Sequence, residues 1–455
     1  MTFLASLVAF SLALPQGGTP AASGQDPAKT VLNANELKSL RDKLAKFLSA
    51  DMDYGLAESA KDRQKASKDR QKSREAFDAE WQKLEKRGNL VASMPDMQAI
   101  FENCFTVARY PSSLGTLREL TVKEDGVTYS LLVPKSYKET VPTRLVIMLP
   151  STTAAGATTW TKPASYFNAA TDKTAALNNN IFQVVHGPSD LEFDPVPDYT
   201  REGAEAEDDR RHLSVFVGMR EVIAQCNVDR AGIFLDGGRG SSAFAVRFAT
   251  LFPDRFAGVI LRHPTPVDDI RLGSLSNLPI LLIRSQDTAK DFAAVEKALN
   301  DASPGNVTVI DASDEYPFRA SADAIDAWMA KQHRSMMPQK VVIEPNHDRF
   351  TRSYWAQITK ADPLATSQPD KKPRLEVQAD RASNRITVKA VGVEQFRLLL
   401  NDSLVDLDKE FTVVVNDRAG SQTLQRSFKK MKDGVVLRND WGFLFSVEFN
   451  STVAK

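Results

Sequence analysis

The stretch "FLDGGRGSSAFAVRFATLFPDRF", residues 234–256, decides how the middle of this chain folds. Phe234 and Leu235 end an apolar run, Gly237, Gly238 and Gly240 make a turn, "SSAFAVRFATLF" has helical periodicity, and Phe256 opens another apolar run. A strand that turns into a helix and returns to a strand is the repeating unit of a parallel sheet. Similar runs recur on both sides: "LVIMLP" (145–150), "IFQVVHG" (181–187), "PILLIR" (279–284) and "VTVID" (307–311). Helical patterns such as "DDRRHLSVFVGMREVIAQC" (208–226) and "SADAIDAWMAKQHR" (321–334) separate them. Strands apolar throughout and spaced by helices imply an α/β domain over 111–335, with a mostly parallel sheet and helices on both faces.

The flanks read differently. In "LNANELKSLRDKLAKFLSA" (32–50), Leu37, Leu40, Leu44 and Leu48 form one apolar stripe. The heptapeptide beginning at Lys61 is nearly duplicated at Lys68, but its positions are too polar for a coiled-coil seam. A solvated helix laced by charge pairs fits, with Phe77, Trp81 and Leu84 as its docking face; a protein partner bound through 56–86 is the alternative. We expect a helical extension over 30–110. A linker over 336–372, ending in "ADPLATSQPDKKP", leads to short alternating runs such as "RLEVQAD" (374–380), "RITVKAVG" (385–392) and "FTVVVND" (411–417), which imply a β-sandwich over 373–455. Asp402, Asp406 and Asp408 cluster there without the glycine and spacing of a calcium loop, so a solvated turn is expected.

Length and charge bound the function. A chain of 455 residues implies two or three domains, and Lys plus Arg equal Asp plus Glu at 58 each. That balance gives no field drawing the whole molecule to nucleic acid or to an anionic membrane. Residues 1–23 resemble a signal peptide, which implies a secreted or periplasmic location; no other stretch is apolar over the roughly 18 residues that a membrane span needs. Cys104 and Cys226 could form a disulfide or remain two buried thiols. No Cys/His spacing suggests a metal, and no cofactor is expected.

The segment 116–335 resembles the secreted bacterial α/β-hydrolase esterases of the feruloyl-esterase, polyhydroxybutyrate-depolymerase and dienelactone-hydrolase type. The resemblance is carried by "VTYSLLVPKSYKETVPTRLVIMLP", "NVDRAGIFLDGG", "FPDRFAGVI", "LPILLIRSQDT" and "AIDAWMAKQHRSMMP", in family order. It implies a Ser-His-Asp triad with its nucleophile in a G-x-S-x-G elbow. The nucleophile position holds Arg239, the last elbow glycine is replaced by Ser241, and the acid maps to Asp287. The loop due to carry the histidine reads "ASDEYPF", with Asp314, Glu315 and Tyr316 and no imidazole, and the oxyanion strand ends in Pro150 and Ser151.

An arginine offers no lone pair for attack. We therefore expect a pseudo-hydrolase that binds or scaffolds, with Arg239, Gly238, Gly240 and Ser151 around an anionic or carbohydrate ligand. For the cation itself, an internal plug with Arg239 paired to Asp287, Asp314 or Glu315 is preferred to ligand binding. Two other readings compete: an active carboxylesterase with Ser241 as displaced nucleophile and His263 as base, and a structural protein of the cell envelope. "GGRGSSA" also fits G-x-G-x-x-A, but it follows several strands and lacks the acid that ends the second strand of a dinucleotide site.

Overall fold

Three helices lead the chain: α1 (Ala34–Leu56), α2 (Ala60–Glu85) and α3 (Met94–Phe101). Asn33 caps α1 in a reciprocal arrangement with Glu36. Leu40, Leu44 and Leu48 are buried, and the buried residues of α2 are Phe77, Trp81 and Leu84, the face expected for docking. The rest of α2 is largely exposed and carries charge pairs such as Arg74–Asp78 at 3.5 Å. The computed structural model describes residues 30–57, 59–102, 104, 113–151, 162–187, 193, 203–268, 270–290, 292–362 and 371–453; the expected signal peptide lies outside them.

The central sheet has eight strands: β1 (Arg118–Val122), β2 (Val127–Leu132), β3 (Thr143–Leu149), β4 (Asn180–Val185), β5 (Val228–Gly238), β6 (Gly258–Arg262), β7 (Ile280–Ser285) and β8 (Val307–Ala312). Their order is β1-β2-β4-β3-β5-β6-β7-β8. The pairs β1–β2 and β2–β4 are antiparallel and all others parallel. Side chains alternate between two cores. On β3, Leu145, Ile147 and Leu149 join one core while Val146 and Met148 join the other. Helices α4 (Pro163–Thr171), α5 (Ala176–Asn179) and α9 (Ala322–Met329) cover the second core. The first lies under α6 (Ala204–Gln225), α7 (Gly240–Leu251) and α8 (Ala293–Ala302). This is the expected three-layer α/β architecture, with β5 and α7 at its centre.

The remaining strands form two sheets around a third core. One has the order β10 (Arg352–Ser353), β11 (Ala356–Ala361), β14 (Val393–Leu400), β17 (Val447–Thr452). The other runs β16 (Arg418–Gln422), β15 (Phe411–Val415), β13 (Arg385–Val391), β12 (Arg374–Asp380), β9 (Lys340–Ile343). Strands β9, β10 and β11 fall in 336–372, which corrects the expectation of a linker there. Their apolar runs are only a few residues long, yet Val341, Trp355 and Ile358 are fully part of the sandwich core. A second departure is helix α10 (Phe428–Arg438), set among the strands. It carries the N-terminal helices: the Phe428 ring lies 4.1 Å from Trp81 and 5.5 Å from Phe77, and Met431 and Val435 complete that core. The aspartate cluster is a turn neutralised from within, as Arg426 binds Asp402 at 2.5 Å and Asp408 at 2.6 Å. Cys104 and Cys226 are both buried thiols, and burial pushes each up to about 12.

The α/β layers and the sandwich meet across a buried ion pair. Arg334 donates from Nη1 to Asp440 Oδ2 at 2.7 Å and from Nη2 to Oδ1 at 2.8 Å, and Nη1 also reaches the Asp254 carbonyl at 2.6 Å. Removing one member of such a pair leaves the other charge buried without a counter-ion. Asp440→Ala is expected to destabilise the protein by about 3–5 kcal/mol, read as a lower urea midpoint at unchanged slope.

Candidate functional site

The turn from β5 into α7 is built by what it excludes. A Cβ on Gly237 would lie 2.7 Å from Ala245 Cβ and 3.0 Å from the Ser241 carbonyl oxygen; one on Gly238 would lie 2.2 Å from Tyr316 Oη and 2.9 Å from Tyr166 Oη. Only glycine lets helix and phenols approach this closely. Arg239 then takes φ 47° and ψ −124°, a strained conformation for a residue with a side chain. Its N–H is tied to the Arg262 carbonyl at 2.8 Å. The elbow keeps its sharp geometry although its central residue is an arginine.

Ser241 supports this turn from below. It is fully buried; its hydroxyl accepts from Gly238 N–H at 3.0 Å, and its proton faces the carbonyls of Leu149 at 2.7 Å and Gly238 at 2.8 Å. Neither partner is an imidazole. His263 follows β6 with φ 52°, and its ring contacts Phe292 and Phe318. The expected alternative pair of Ser241 and His263 is therefore not assembled, because the hydroxyl is committed to backbone groups. Ser242 likewise accepts from Thr265 N–H at 2.9 Å.

The arginine side chain rises from the elbow onto an aromatic face. Its guanidinium carbon sits 4.5 Å from the Tyr316 ring centroid, a cation–π contact. Its Nε is buried without a hydrogen-bond partner. Among the described residues no carboxylate forms an ion pair with Arg239. Glu315 is exposed, and Asp314 instead accepts from Ala320 N–H at 2.8 Å. The backbone of Asp287 lies in the turn Gln286–Thr288 after β7, and its side chain is outside the described residues. The plug through Asp314 or Glu315 is thus corrected: the loop presents a phenol ring, not a carboxylate, to the cation. Gly238, Arg239 and Gly240 form the turn itself, between β5 and α7. Ser151 is buried just past β3, whose end touches the elbow through Leu149, and residues 152–161 after it are outside the described ones.

Beneath the elbow lies a charged pair that sequence reasoning missed. Arg262, at the end of β6, donates from Nε to Asp236 Oδ1 at 2.9 Å, from Nη2 to Oδ2 at 2.9 Å and from Nη1 to the Pro317 carbonyl at 2.7 Å, and both side chains are buried. Burial opposes the Arg262 charge, but Asp236 holds its pKa above the ordinary guanidinium value. Tyr166 and Tyr316 stand over this pair, with their hydroxyls against each other. Burial first, and the Asp236 charge second, push Tyr166 up to about 12; burial also raises Tyr316 well above a normal phenol. Both phenols therefore stay protonated at neutral pH. The signal was in the sequence, as Asp236 and Arg262 each interrupt an apolar run on strands that prove to be neighbours.

No protein-family model matches this chain, and no curated protein does. Among solved structures it is similar to a thermostable esterase, at 15% identity and TM-score 0.33, over 48% of this chain and 63% of the esterase. It is similar to an S-formylglutathione hydrolase of Staphylococcus aureus at 11% identity and TM-score 0.35, over 50% of this chain and 100% of that one. A ferulic acid esterase of Anaeromyces mucronatus shares 13% identity at TM-score 0.33, over 46% of this chain and 88% of the esterase. The mixed α/β fold, with its mostly parallel sheet between helices, rests on the strand order and pairing described above.

The strained backbone at Arg239 has a measurable cost. Arg239→Gly should be more stable than Arg239→Ala by about 1 kcal/mol or more, since both variants lack the guanidinium and only alanine retains a Cβ at positive φ. Urea unfolding of the two variants side by side reads this difference.

Proposed function

We propose that this protein is a non-hydrolytic member of the α/β-hydrolase architecture that holds an anionic group at its elbow. One observation carries the reading: the nucleophile position is occupied, in elbow geometry, by a guanidinium that lies on Tyr316 with no carboxylate partner among the described residues. A protonated guanidinium has no lone pair to attack a carbonyl. It sits where α7 begins, and no side chain caps that helix end. The first N–H groups of a helix and its positive dipole end repel a cation and attract an anion. An oxyanion bridging Arg239 and the start of α7 would satisfy both.

The ligand class is a carboxylate, phosphate or sulfate, free or carried on a carbohydrate. The reading extends to export directed by residues 1–23, and to scaffolding in which the exposed, charged face of α2 meets a protein partner. The apolar character of the first residues and the exposure of α2 support these parts.

Hydrolysis of p-nitrophenyl acetate and butyrate tests the central part. Wild type should be no faster than buffer, and a fluorophosphonate probe should add no mass to the protein. Turnover by wild type that disappears in Ser241→Ala would instead identify a carboxylesterase with a displaced nucleophile.

A further inference from the structure

At the far end of α7, about 18 Å from the elbow by the rise of a 12-residue helix, a cleft of about 500 Å3 opens between the α/β layers and the sandwich. One wall is aromatic. Phe252 packs against Phe216 and against Phe350 with ring centroids 4.8 Å apart in each case. The other wall is cationic, with Arg255, Arg352 and Arg438 facing the cleft beside Asp254.

The charges there do not balance. Asp254, the one carboxylate among the described residues that line the cleft, lies 3.0 Å from Arg438 Nη2. Asp440 is already held by Arg334 through two hydrogen bonds. Arg255 donates to the Arg438 carbonyl at 3.2 Å, and Arg352 lies over the Phe443 ring. Among the described residues neither of them has a carboxylate ion-pair partner. Arg438 is 5% exposed, and its Nε has no hydrogen-bond acceptor. Burial first, and the neighbouring Arg438 charge second, bring Arg255 and Arg352 down to about 10. They remain cations at neutral pH, crowded around one carboxylate. Arg349, also on the rim, is exposed and paired with Asp209.

We propose that this cleft is a second binding site, distinct from the elbow, for a small molecule in which an oxyanion is joined to an aromatic ring. The oxyanion supplies the counter-charge that Arg255 and Arg352 lack and an acceptor for Arg438 Nε, and the ring stacks against Phe216, Phe252 and Phe350. The volume lies within the range of small-molecule sites. Carboxylate, phosphate and sulfate share this chemistry.

Titration calorimetry on the full chain, with phenyl phosphate, inorganic phosphate and phenol as probes, tests the site. Phenyl phosphate should bind saturably. Its affinity should fall about tenfold or more in Arg255→Ala and in Arg352→Ala, as expected for a lost charged hydrogen bond. It should weaken with added salt and persist in the Arg239→Ala background, in which the elbow no longer contributes a phosphate site of its own. Inorganic phosphate and phenol should each bind about tenfold more weakly than the joined molecule. Phe350→Ser, which removes no charge, should weaken phenyl phosphate and leave inorganic phosphate unaffected. Absence of saturable binding, full affinity in both arginine variants, or loss of binding in Arg239→Ala overturns the proposal. Equal affinity for phosphate and phenyl phosphate overturns its aromatic half.

Discussion

Positions 237 and 238 have no room for a Cβ, because α7 and the phenols of Tyr166 and Tyr316 press directly on the backbone there. This crowding is what holds the turn between β5 and α7 in its sharp form. With helix and strand locked together by Ser241, whose hydroxyl bonds to Gly238 and to the carbonyl of Leu149, residue 239 has one direction in which to project. A turn shaped in this way survives the exchange of its central side chain, since its geometry is set by packing around the backbone. The strain at Arg239 is compensated by burial in the surrounding sheet and helix.

Electrostatics then decides what the site can do. Arg262 is neutralised by Asp236 beneath the elbow, and the tyrosines remain uncharged. Among the described residues the Arg239 cation meets a π face and no carboxylate, at a helix end that already favours anions. A site arranged for acyl transfer would place a hydroxyl here against an imidazole. This one places a donor, with its Nε buried and unpaired, against an aromatic ring. The second basic region, between the layers and the sandwich, follows the same logic, with more guanidinium groups than carboxylates in a partly enclosed space. Both lie at the ends of α7, so a single helix ties the two cationic sites into one rigid frame.

Much of this was legible before any coordinates. The parallel strands read clearly because burial on both faces makes them apolar throughout, and the elbow read clearly because its glycines have no other reason to stand between a strand and a helix. The docking face of α2 was visible as Phe77, Trp81 and Leu84 in an otherwise polar helix. Helix α10 was not, because Gly434 and the β-branched Val435 and Val436 weaken its local signal. The glycine is there for contact: a Cβ would meet the Phe443 ring at 3.0 Å. Strands β9 to β11 were hidden by their shortness and by the Pro- and Lys-rich segment after them. Charge alone points to Asp314 and Glu315 as partners of Arg239, whereas the backbone of that loop turns Tyr316 inward and leaves Glu315 exposed.

The most direct test is a crystal structure of the full chain soaked in bromide, with anomalous scattering to locate the ion. The account expects bromide within hydrogen-bonding reach of Arg239 Nε and the first N–H groups of α7, with the guanidinium still on Tyr316. An elbow without bromide, in which Arg239 is paired to Asp287 or Asp314, would contradict it.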